Sequence, residues 1–295
     1  MPELPEVETI KIGLAGKVPG KKIRAIWIEP SFKKKISPSA GKFLRFLNGK
    51  KFTRVKRRAK ILVFELNFDY SILVHLKMTG QLVYYPKKGK ALTGGHPIKG
   101  HENQPDRFAR VIFQFTDGAQ LYYNDVRKFG YLKLIKNQDI EKEFAEFGPE
   151  PFDKEFSQAY FNDLLEKNKN KKIKSILLEQ NLIAGLGNIY TDEALHRAKL
   201  HPLRSSNTIS EEEAGQLLVA IRNVLQEGIQ RNGASIDWVY RGGDFQNYFC
   251  VYQRTGEACP VCGTTIERIM VGQRGTHLCP QCQKINGPLM QSKKG

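Results

Sequence analysis

The sequence predicts an α+β protein in which a sheet-rich N-terminal part is followed by helices and then by a small cysteine ribbon. Short segments rich in β-branched and aromatic residues occur between residues 22 and 134 and are typical of strands. Helical periodicity begins after the linker Gly148-Pro149-Glu150-Pro151, and two Cys-x-x-Cys pairs stand near the C-terminus. We therefore expect a β-sandwich domain at 1–147, a helical domain at 148–250, the ribbon at 251–284 and a disordered tail at 285–295.

The first expected element is a helix close to the N-terminus. Pro5 has the fixed φ that suits a first helical turn, and residues 6–12 continue the helical pattern. Methionine before proline is normally removed, and its removal would leave Pro2 with a free secondary amine. An α-amino group titrates near pH ~8, so an appreciable fraction of it can be neutral, and therefore nucleophilic, near neutral pH. Glu3 and Glu6 would lie beside this amine, at the positive end of the helix dipole. This grouping suits covalent chemistry at a carbonyl-like carbon; the plainer interpretation is a charged helix start with two prolines.

Five strands are predicted in the sheet region. Turn signals at Phe68-Asp69 and Asp117-Gly118 separate segments that are short and β-branched or aromatic: residues 23–28, 61–66, 71–76, 109–115 and 120–123. This pattern favours a β-sandwich. Residues 86–105 are polar, and we expect them to form a mobile insertion.

Four helices are predicted in the second half, at residues 156–168, 172–180, 189–198 and 210–230. Ser210 and the glutamates after it form a capping-box start for the last of these. In the turn before the third helix, Gly185 and Gly187 permit close approach of the backbone. Asn188 is placed to cap the following helix or to donate a hydrogen bond, and free N–H groups at a helix start bind phosphate. Packing between two helices is the alternative use of such a turn.

The C-terminal cysteines have the spacing of a zinc ribbon. The two Cys-x-x-Cys pairs are separated by 16 residues, and four thiolates complete a tetrahedral zinc site with no position open for catalysis. Two redox pairs are the alternative. Cys250 lies outside the spacing, and we expect it to be an ordinary buried thiol. The sequence thus predicts one structural Zn2+ per chain, held by Cys259, Cys262, Cys279 and Cys282.

The charge distribution favours a nucleic-acid partner. The net charge is +17, and residues 1–60 contain 17 Lys/Arg but only 4 Asp/Glu. Such a field attracts phosphate backbones. An anionic membrane is the alternative, but no apolar run approaches the ~18 residues of a spanning helix. No signal peptide opens the chain, so a cytosolic protein with reduced cysteines is expected.

Arg274, expected at the apex of a ribbon hairpin, would be a solvated charge or a phosphate contact.

Four motifs occur in an order that resembles the bacterial formamidopyrimidine-DNA glycosylase family, in the helix–two-turn–helix superfamily. They are MPELPEVET at residues 1–9, YNDVRKFG at 123–130, NLIAGLGNIYTDEALHRAKLHP at 181–202 and the four-cysteine ribbon. The similarity extends from residue 1 to about residue 284. It implies a helix–two-turn–helix arrangement for the helical domain. The implied activity is that of a bifunctional DNA glycosylase and apurinic/apyrimidinic lyase that removes oxidised and ring-opened purines, namely 8-oxoguanine and formamidopyrimidines, from duplex DNA. The same resemblance implies action on abasic sites and strand cleavage by β- and then δ-elimination.

The resemblance also implies roles for individual residues. Pro2 would attack C1′ of the damaged nucleotide, and Glu3 would act as general acid. Glu6 would be a supporting carboxylate in the same pocket. Lys60 matches a strand lysine of the family that holds phosphate beside the lesion; the alternative interpretation is one solvated charge among many.

A flipped base leaves a gap in the duplex, which the family fills with Met, Arg and Phe. Met78, Arg127 and Phe129 match these three residues. Neighbouring charged residues favour exposed loops over core positions for Met78 and Phe129. The resemblance further implies contacts with the DNA backbone for His75, Asn188 and Arg274, although His75 could instead be a core histidine.

The sequence departs from the family pattern in two places. The connector at 233–245 is shorter and more aromatic than the glycine- and threonine-rich loop that covers oxidised guanine in the family. The usual Val-Tyr-Gly-Arg is replaced by Val251-Tyr252-Gln253-Arg254. Two alternatives stay open: an endonuclease VIII-like enzyme for oxidised pyrimidines, and a non-catalytic binder of damaged DNA. We expect a cytoplasmic, nucleoid-associated monomer.

Overall fold

The computed structural model describes residues 1–88, 91–93, 107–235 and 242–285. Its α-helices, in chain order, are α1 Leu4–Ala15, α2 Ala40–Leu47, α3 Ile140–Phe144, α4 Gln158–Lys167, α5 Ile173–Leu178, α6 Asn188–Arg197 and α7 Glu211–Gln230. Its strands are β1 Ile23–Ile28, β2 Ile36–Ser37, β3 Phe52–Arg58, β4 Ile61–Leu66, β5 Tyr70–His75, β6 Gly80–Tyr85, β7 Leu92–Thr93, β8 Ala109–Phe115, β9 Gln120–Asp125, β10 Tyr131–Lys136, β11 Glu267–Val271 and β12 Arg274–Leu278. Short 3-10 helices occupy Pro30–Lys35, Asn137–Asp139, Ser206–Thr208 and Phe245–Tyr248. No helix in the described ranges is long and apolar enough to cross a membrane.

The chain divides into two compact units. The first comprises Met1–Glu146 with Gly228–Gln246, and the second comprises Phe147–Glu227 with Asn247–Gly295. The boundary expected after residue 147 lies within one residue of this division. Residues 228–246, however, group with the N-terminal unit, and the ribbon groups with the helices. The division into three domains stays a prediction, and the tail expected from residue 285 lies almost wholly outside the described residues.

The first unit is a β-sandwich, as predicted. One sheet has the order β1-β8-β9-β6-β7, and the other has the order β2-β10-β5-β4-β3. The sheets meet through aromatic side chains: Phe52 of β3 lies 5.6 Å from Phe64 and 5.8 and 6.0 Å from Phe113 and Phe115 of the opposing sheet, measured between ring centroids. Helix α1 adds Val7, Ile10 and Leu14 to this core.

Each of the five predicted strands is present, but the sandwich has further strands that the pattern did not indicate. Strand β3 was missed because it is an edge strand in which only Phe52 and Val55 are buried, and a register irregularity between Phe52 and Arg54 breaks the alternation of buried and exposed residues. Helix α2 was also missed. The Ser39 hydroxyl accepts a hydrogen bond from Lys42 N at its start, and Phe43 and Leu47 face the core at helical spacing. The predicted insertion at 86–105 lies mostly outside the described residues.

The second unit contains α4 to α7 and the ribbon hairpin β11–β12. The four predicted helices are confirmed, with ends shifted by one or two residues at most positions. The capping box before α7 is also confirmed: Ser210 N donates to Glu213 Oε2 at 2.9 Å, and Glu213 N donates to Ser210 Oγ at 3.2 Å. Satisfying these otherwise free amides explains where the helix starts.

Candidate active site and nucleic-acid interface

The N-terminal residues proposed for chemistry are buried together at the start of α1. Glu3 is the N-cap residue, and Glu6 at the third helical position accepts a hydrogen bond from Glu3 N at 2.7 Å. Pro2 is buried, and Glu3 and Glu6 are only 3% and 2% exposed. The helix start therefore places Pro2 and Glu3 side by side in a buried position.

Glu6 has a second partner that the sequence did not indicate. Its Oε1 accepts a hydrogen bond from Ala234 N at 2.8 Å, so both carboxylate oxygens bind backbone amides. Gly233, with φ +79°, lies so close that a Cβ there would be 2.8 Å from Glu6 Oε1. Only glycine combines this backbone conformation with this approach. Glu6 thus holds the start of the 233–245 connector against the N-cap, which suits a supporting carboxylate.

Lys60 lies in the turn between β3 and β4 rather than on a strand, and it is 6% exposed. Ala59 before it has a left-handed φ of +51°. Arg57 braces the turn by donating to Ala59 O at 2.9 Å and to Glu8 of α1 at 2.8 Å. Burial alone would raise the pKa of Glu8, but hydrogen bonds and charge from Lys11 and Arg57 outweigh it, and the pKa is lowered. This ion pair ties the Lys60 turn to the helix that carries Pro2 and Glu3.

Strand register brings His75 to the same end of the sandwich. Ile61, next to Lys60, lies opposite His75 on β5, and His75 in turn lies opposite Tyr131 on β10. His75 Nδ1 accepts a hydrogen bond from Lys77 N at 3.0 Å. Burial, reinforced by the charges of Lys77 and Lys60, lowers the pKa of His75 to about 3. The imidazole is therefore neutral near neutral pH, and its remaining proton lies on Nε2.

Met78, Arg127 and Phe129 lie on two adjacent loops, residues 76–79 and 126–130, which we call the crossover loops. Each passes from one sheet to the other, because β5 and β10 belong to one sheet while β6 and β9 belong to the other. Met78 is 38% exposed and Phe129 is 48% exposed, which agrees with the expectation of loop positions for both. The Arg127 guanidinium lies over the Phe129 ring, 4.6 Å from its centroid.

In the second unit, Asn188 does not cap α6. Gly187 is the N-cap residue, and the Asn188 side chain instead donates to Gly275 O of the ribbon hairpin at 2.9 Å. Gly185 has φ +98°, as the turn requires, and its N–H donates to Gln180 Oε1 at 3.0 Å. The expected capping role of Asn188 is therefore wrong. Its side chain acts as a hydrogen-bond donor, and the acceptor lies on the ribbon hairpin.

Two fully buried acids on α6, which the sequence did not single out, hold the ribbon. Asp192 accepts the ammonium of Lys174 on one oxygen and His277 N on the other, the latter at 2.9 Å. Glu193 accepts the backbone N–H groups of residues 250–252 at 2.8, 3.0 and 2.8 Å. Both acids lie in the 181–202 motif, but their hydrogen-bond partners are far away in the chain, so the neighbouring sequence does not predict them.

The four predicted cysteine ligands converge on one point. Their sulfurs all lie within 4.8 Å of one another, with close pairs at 3.4 and 3.9 Å. Tetrahedral Zn–S bonds of ~2.3 Å place sulfurs roughly 3.8 Å apart, so the cluster fits one zinc ion. Val261 N and Cys282 N each donate a hydrogen bond to a cysteine sulfur at 3.4 Å. The site is closed by protein ligands, and the zinc is structural.

Two details of the ribbon differ from expectation. Cys250 is outside the cluster and only half-buried, and desolvation raises the pKa of its thiol to about 11. Arg274 is not at the hairpin apex but opens β12 directly after the turn Gly272-Gln273. Its side chain is exposed.

Known proteins are similar to this chain over nearly its whole length. Residues 1–132 match the formamidopyrimidine-DNA glycosylase N-terminal domain, residues 147–239 the H2TH domain of the same enzymes, and residues 256–285 a zinc finger found in FPG and IleRS. The formamidopyrimidine-DNA glycosylase of Pelotomaculum thermopropionicum is 40% identical over 97% of this chain and 100% of its own length. That of Streptococcus pneumoniae is 41% identical over 96% of this chain and 99% of its own.

Solved structures are similar over the same extent. A complex between the Lactococcus lactis Fpg and DNA with an abasic site has a TM-score of 0.85 at 36% identity, covering 96% of this chain and 100% of the other. The complex of the same protein with DNA containing N7-benzyl-Fapy-dG has a TM-score of 0.86 at the same identity and coverage. With relatives this similar over their full lengths, the chain belongs to the formamidopyrimidine-DNA glycosylase family of DNA-repair enzymes.

Proposed function

We propose that this protein is a bifunctional DNA glycosylase and apurinic/apyrimidinic lyase that removes formamidopyrimidines and 8-oxoguanine from duplex DNA. The observation that carries the proposal is the buried Pro2-Glu3 pair at the N-cap of α1 in a member of this family. The Lactococcus lactis relatives were solved with DNA containing an abasic site or N7-benzyl-Fapy-dG. The protein acts as a monomer, in the bacterial cytoplasm and at the nucleoid.

In the first step, with Met1 removed, the neutral Pro2 nitrogen attacks C1′ of the damaged nucleotide. The N–C1′ bond forms as the bond from C1′ to the base breaks, and the base leaves with the electron pair and takes up the proton that the Pro2 nitrogen loses. Glu3 then donates a proton to O4′ as the sugar ring opens, which leaves an iminium between Pro2 and C1′. Glu6 does not transfer a proton in this scheme, because both of its oxygens bind backbone amides.

The iminium makes the proton on C2′ acidic, so its loss expels the 3′ phosphate in a β-elimination. A second elimination expels the 5′ phosphate, and hydrolysis of the C=N bond frees Pro2. Lys60 holds the phosphate beside the lesion during these steps. Its turn is braced to α1 by the Arg57–Glu8 ion pair, which keeps the phosphate site and the nucleophile in a fixed relation.

The lesion must leave the helix before Pro2 can reach it, and the crossover loops fill the gap. Met78 is a flexible apolar filler, and Phe129 wedges the neighbouring base step. Arg127 donates hydrogen bonds to the orphaned partner base. Cytosine offers O2 and N3 as adjacent acceptors, so a cytosine partner is favoured.

Three further residues are proposed to bind the DNA backbone. The Nε2–H of neutral His75 can donate to a phosphate oxygen, since its Nδ1 is already occupied by Lys77 N. Asn188 has a second amide hydrogen besides the one donated to Gly275 O. Arg274 is an exposed cation beside the hairpin turn. An oxidised-pyrimidine substrate is the second candidate, because a further Lactococcus lactis structure contains DNA with an oxidised pyrimidine.

Trapping with borohydride tests the proposed chemistry. Reduction of the iminium should link the wild-type protein irreversibly to duplex DNA carrying an abasic site or an oxidised purine, with the adduct on the N-terminal peptide. A protein with an extra residue retained before Pro2 has an amide at this nitrogen and should not be trapped. Glu3→Gln should lose sugar-ring opening, and with it borohydride trapping and strand cleavage, but keep DNA binding, whereas Glu141→Gln, an exposed carboxylate of α3, should behave as wild type.

Equal trapping of the extended protein would show that the nucleophile is elsewhere. A wild-type protein that binds lesion DNA but neither cleaves it nor is trapped would support the non-catalytic alternative.

A further inference from the structure

The two crossover loops share one buried hydrogen-bond network centred on Asp125. Asp125 is the last residue of β9 and is 0% exposed. Its Oδ1 accepts the hydroxyl of Thr79 from the first crossover loop. Its Oδ2 accepts Gly130 N from the second loop at 2.8 Å. One carboxylate therefore binds both loops at once.

Thr79 extends this network directly to one of the gap-filling residues. The Thr79 Oγ1 that donates to Asp125 also accepts a hydrogen bond from Arg127 N at 2.9 Å. Met78 is the residue immediately before Thr79. The Thr79 hydroxyl therefore links the backbone of Arg127 to the residue that follows Met78. The side chains of Met78 and Arg127 themselves are exposed.

The same network is packed against Tyr123 without spare room. A Cβ on Gly130 would lie 1.7 Å from the Tyr123 hydroxyl, and one on Gly80 would lie 2.8 Å from it. These glycines are where each loop joins its next strand. Arg110 also holds the backbone of Asp125 in place, because its Nε donates a hydrogen bond to Asp125 O at 2.7 Å. Hydrogen bonds and close packing against Tyr123 therefore both determine the spacing between the two crossover loops.

We propose that Thr79 and Asp125 are positioning residues that hold Met78, Arg127 and Phe129 at the spacing needed to enter the duplex together. Insertion from one side of the gap requires all three side chains at defined relative positions. Loops that move independently must lose conformational entropy at the moment of insertion, and that loss weakens the flipped state. The network removes this loss before DNA binds. This inference rests on the proposed gap-filling role of the crossover loops.

Single-turnover cleavage of two substrates tests the proposal. One is a duplex with an abasic site opposite cytosine; the other is the same abasic strand alone, which has no partner base and no gap to fill. Thr79→Val removes the hydroxyl at nearly constant shape, and we expect about a tenfold slower duplex cleavage with single-strand cleavage within twofold of wild type. Thr79→Ser keeps the hydroxyl and should restore the duplex rate.

Ser71→Ala is the matched control, because Ser71 is a buried residue at the opposite end of β5 whose hydroxyl donates to Asn137 Oδ1 at 2.8 Å. It should leave both rates unchanged. An unchanged duplex rate for Thr79→Val, or an equal loss on both substrates, would overturn the proposal. If Arg127→Ala cleaves the duplex as fast as wild type, the gap-filling role itself is wrong.

Hydrogen exchange on the wild-type protein tests the network without any substitution. The Arg127 amide should exchange slowly despite its place in an exposed loop, because Thr79 accepts it. Exchange as fast as that of an unprotected loop amide would also overturn the proposal.

Discussion

Replacing Asp192 by asparagine is expected to loosen the zinc ribbon from helix α6. Lys174 and Asp192 are both 0% exposed, and the Lys174 ammonium also donates to Thr276 Oγ1 at 2.7 Å on the ribbon hairpin. The second Asp192 oxygen accepts His277 N at 2.9 Å. Asparagine removes the negative charge from this buried pair. If the asparagine oxygen continues to accept from Lys174, the asparagine NH2 group faces the His277 N–H. Both of these groups are donors, so the hydrogen bond to His277 N is lost.

The expected cost follows from leaving a buried cation without its counter-charge. Removing one partner of a buried ion pair costs about 3–5 kcal/mol. The lower end applies here, because Lys174 keeps Thr276 and the asparagine oxygen as acceptors. A loss of about 3 kcal/mol lowers the equilibrium constant for the docked ribbon by roughly a factor of 100. The double variant Lys174→Met/Asp192→Asn should cost less than Asp192→Asn alone, since the asparagine can then rotate to accept His277 N.

Urea-dependent release of zinc to a chromophoric chelator, together with hydrogen exchange of the His277 amide, measures this change. Asp163→Asn on α4 is the control, because its ion pair with Lys167 is solvent-exposed and should contribute little. A cost below about 1 kcal/mol for Asp192→Asn would refute the reasoning. So would a double variant that is no more stable than the single one.

Three further outcomes are expected. Metal analysis should find one zinc per chain, lost in Cys279→Ser but kept in Cys250→Ser, because the Cys250 thiol is outside the cluster; retention of zinc by the first variant would contradict the ligand assignment. The folded-state pKa of His75 is about 3, well below its unfolded value of ~6.5, so the stability due to neutral His75 is complete above pH ~6.5 and is lost as the pH falls towards 3. Carbon-detected NMR should therefore show no titration of His75 between pH 5 and 8, and a midpoint near 6.5 would disprove its burial as neutral imidazole. Single-turnover excision of formamidopyrimidine opposite cytosine should be at least as fast as that of 8-oxoguanine opposite cytosine, because ring-opened bases cost less to extrude and depend less on the shortened 233–245 connector. Faster removal of 8-oxoguanine, or of oxidised pyrimidines, would reject this preference; Trp238 and Tyr240, which we expected to pack near the flipped base, lie outside the described residues.

Local patterns predicted those parts of the protein whose cause is local. The capping box at Ser210 and the knuckles of the zinc site each depend on residues a few positions apart, and each was found where the sequence placed it. Strand β3 was missed because only Phe52 and Val55 are buried in it and a register irregularity breaks the alternation, and α2 was missed within a region that otherwise forms strands. Of the two roles open to Asn188, capping and donating, the sequence could not select the second, because the acceptor on Gly275 is 87 residues away.

The sequence by itself determined which groups this protein has available: Pro2 beside Glu3 at the start of the chain, four cysteines with the spacing of a zinc site, and a net charge of +17. These depend on residue type and short spacing, and both can be read from the chain. Only the tertiary structure decided how those groups are held. Glu6 binds Ala234 across 228 residues, and Asp125 joins two loops through Thr79, 46 residues away. Hydrophobic periodicity specifies which face of an element is buried, but the partner of a buried polar group depends on strand order and on how loops cross between sheets. That information is non-local, and it appears only when the sheets and helices have packed.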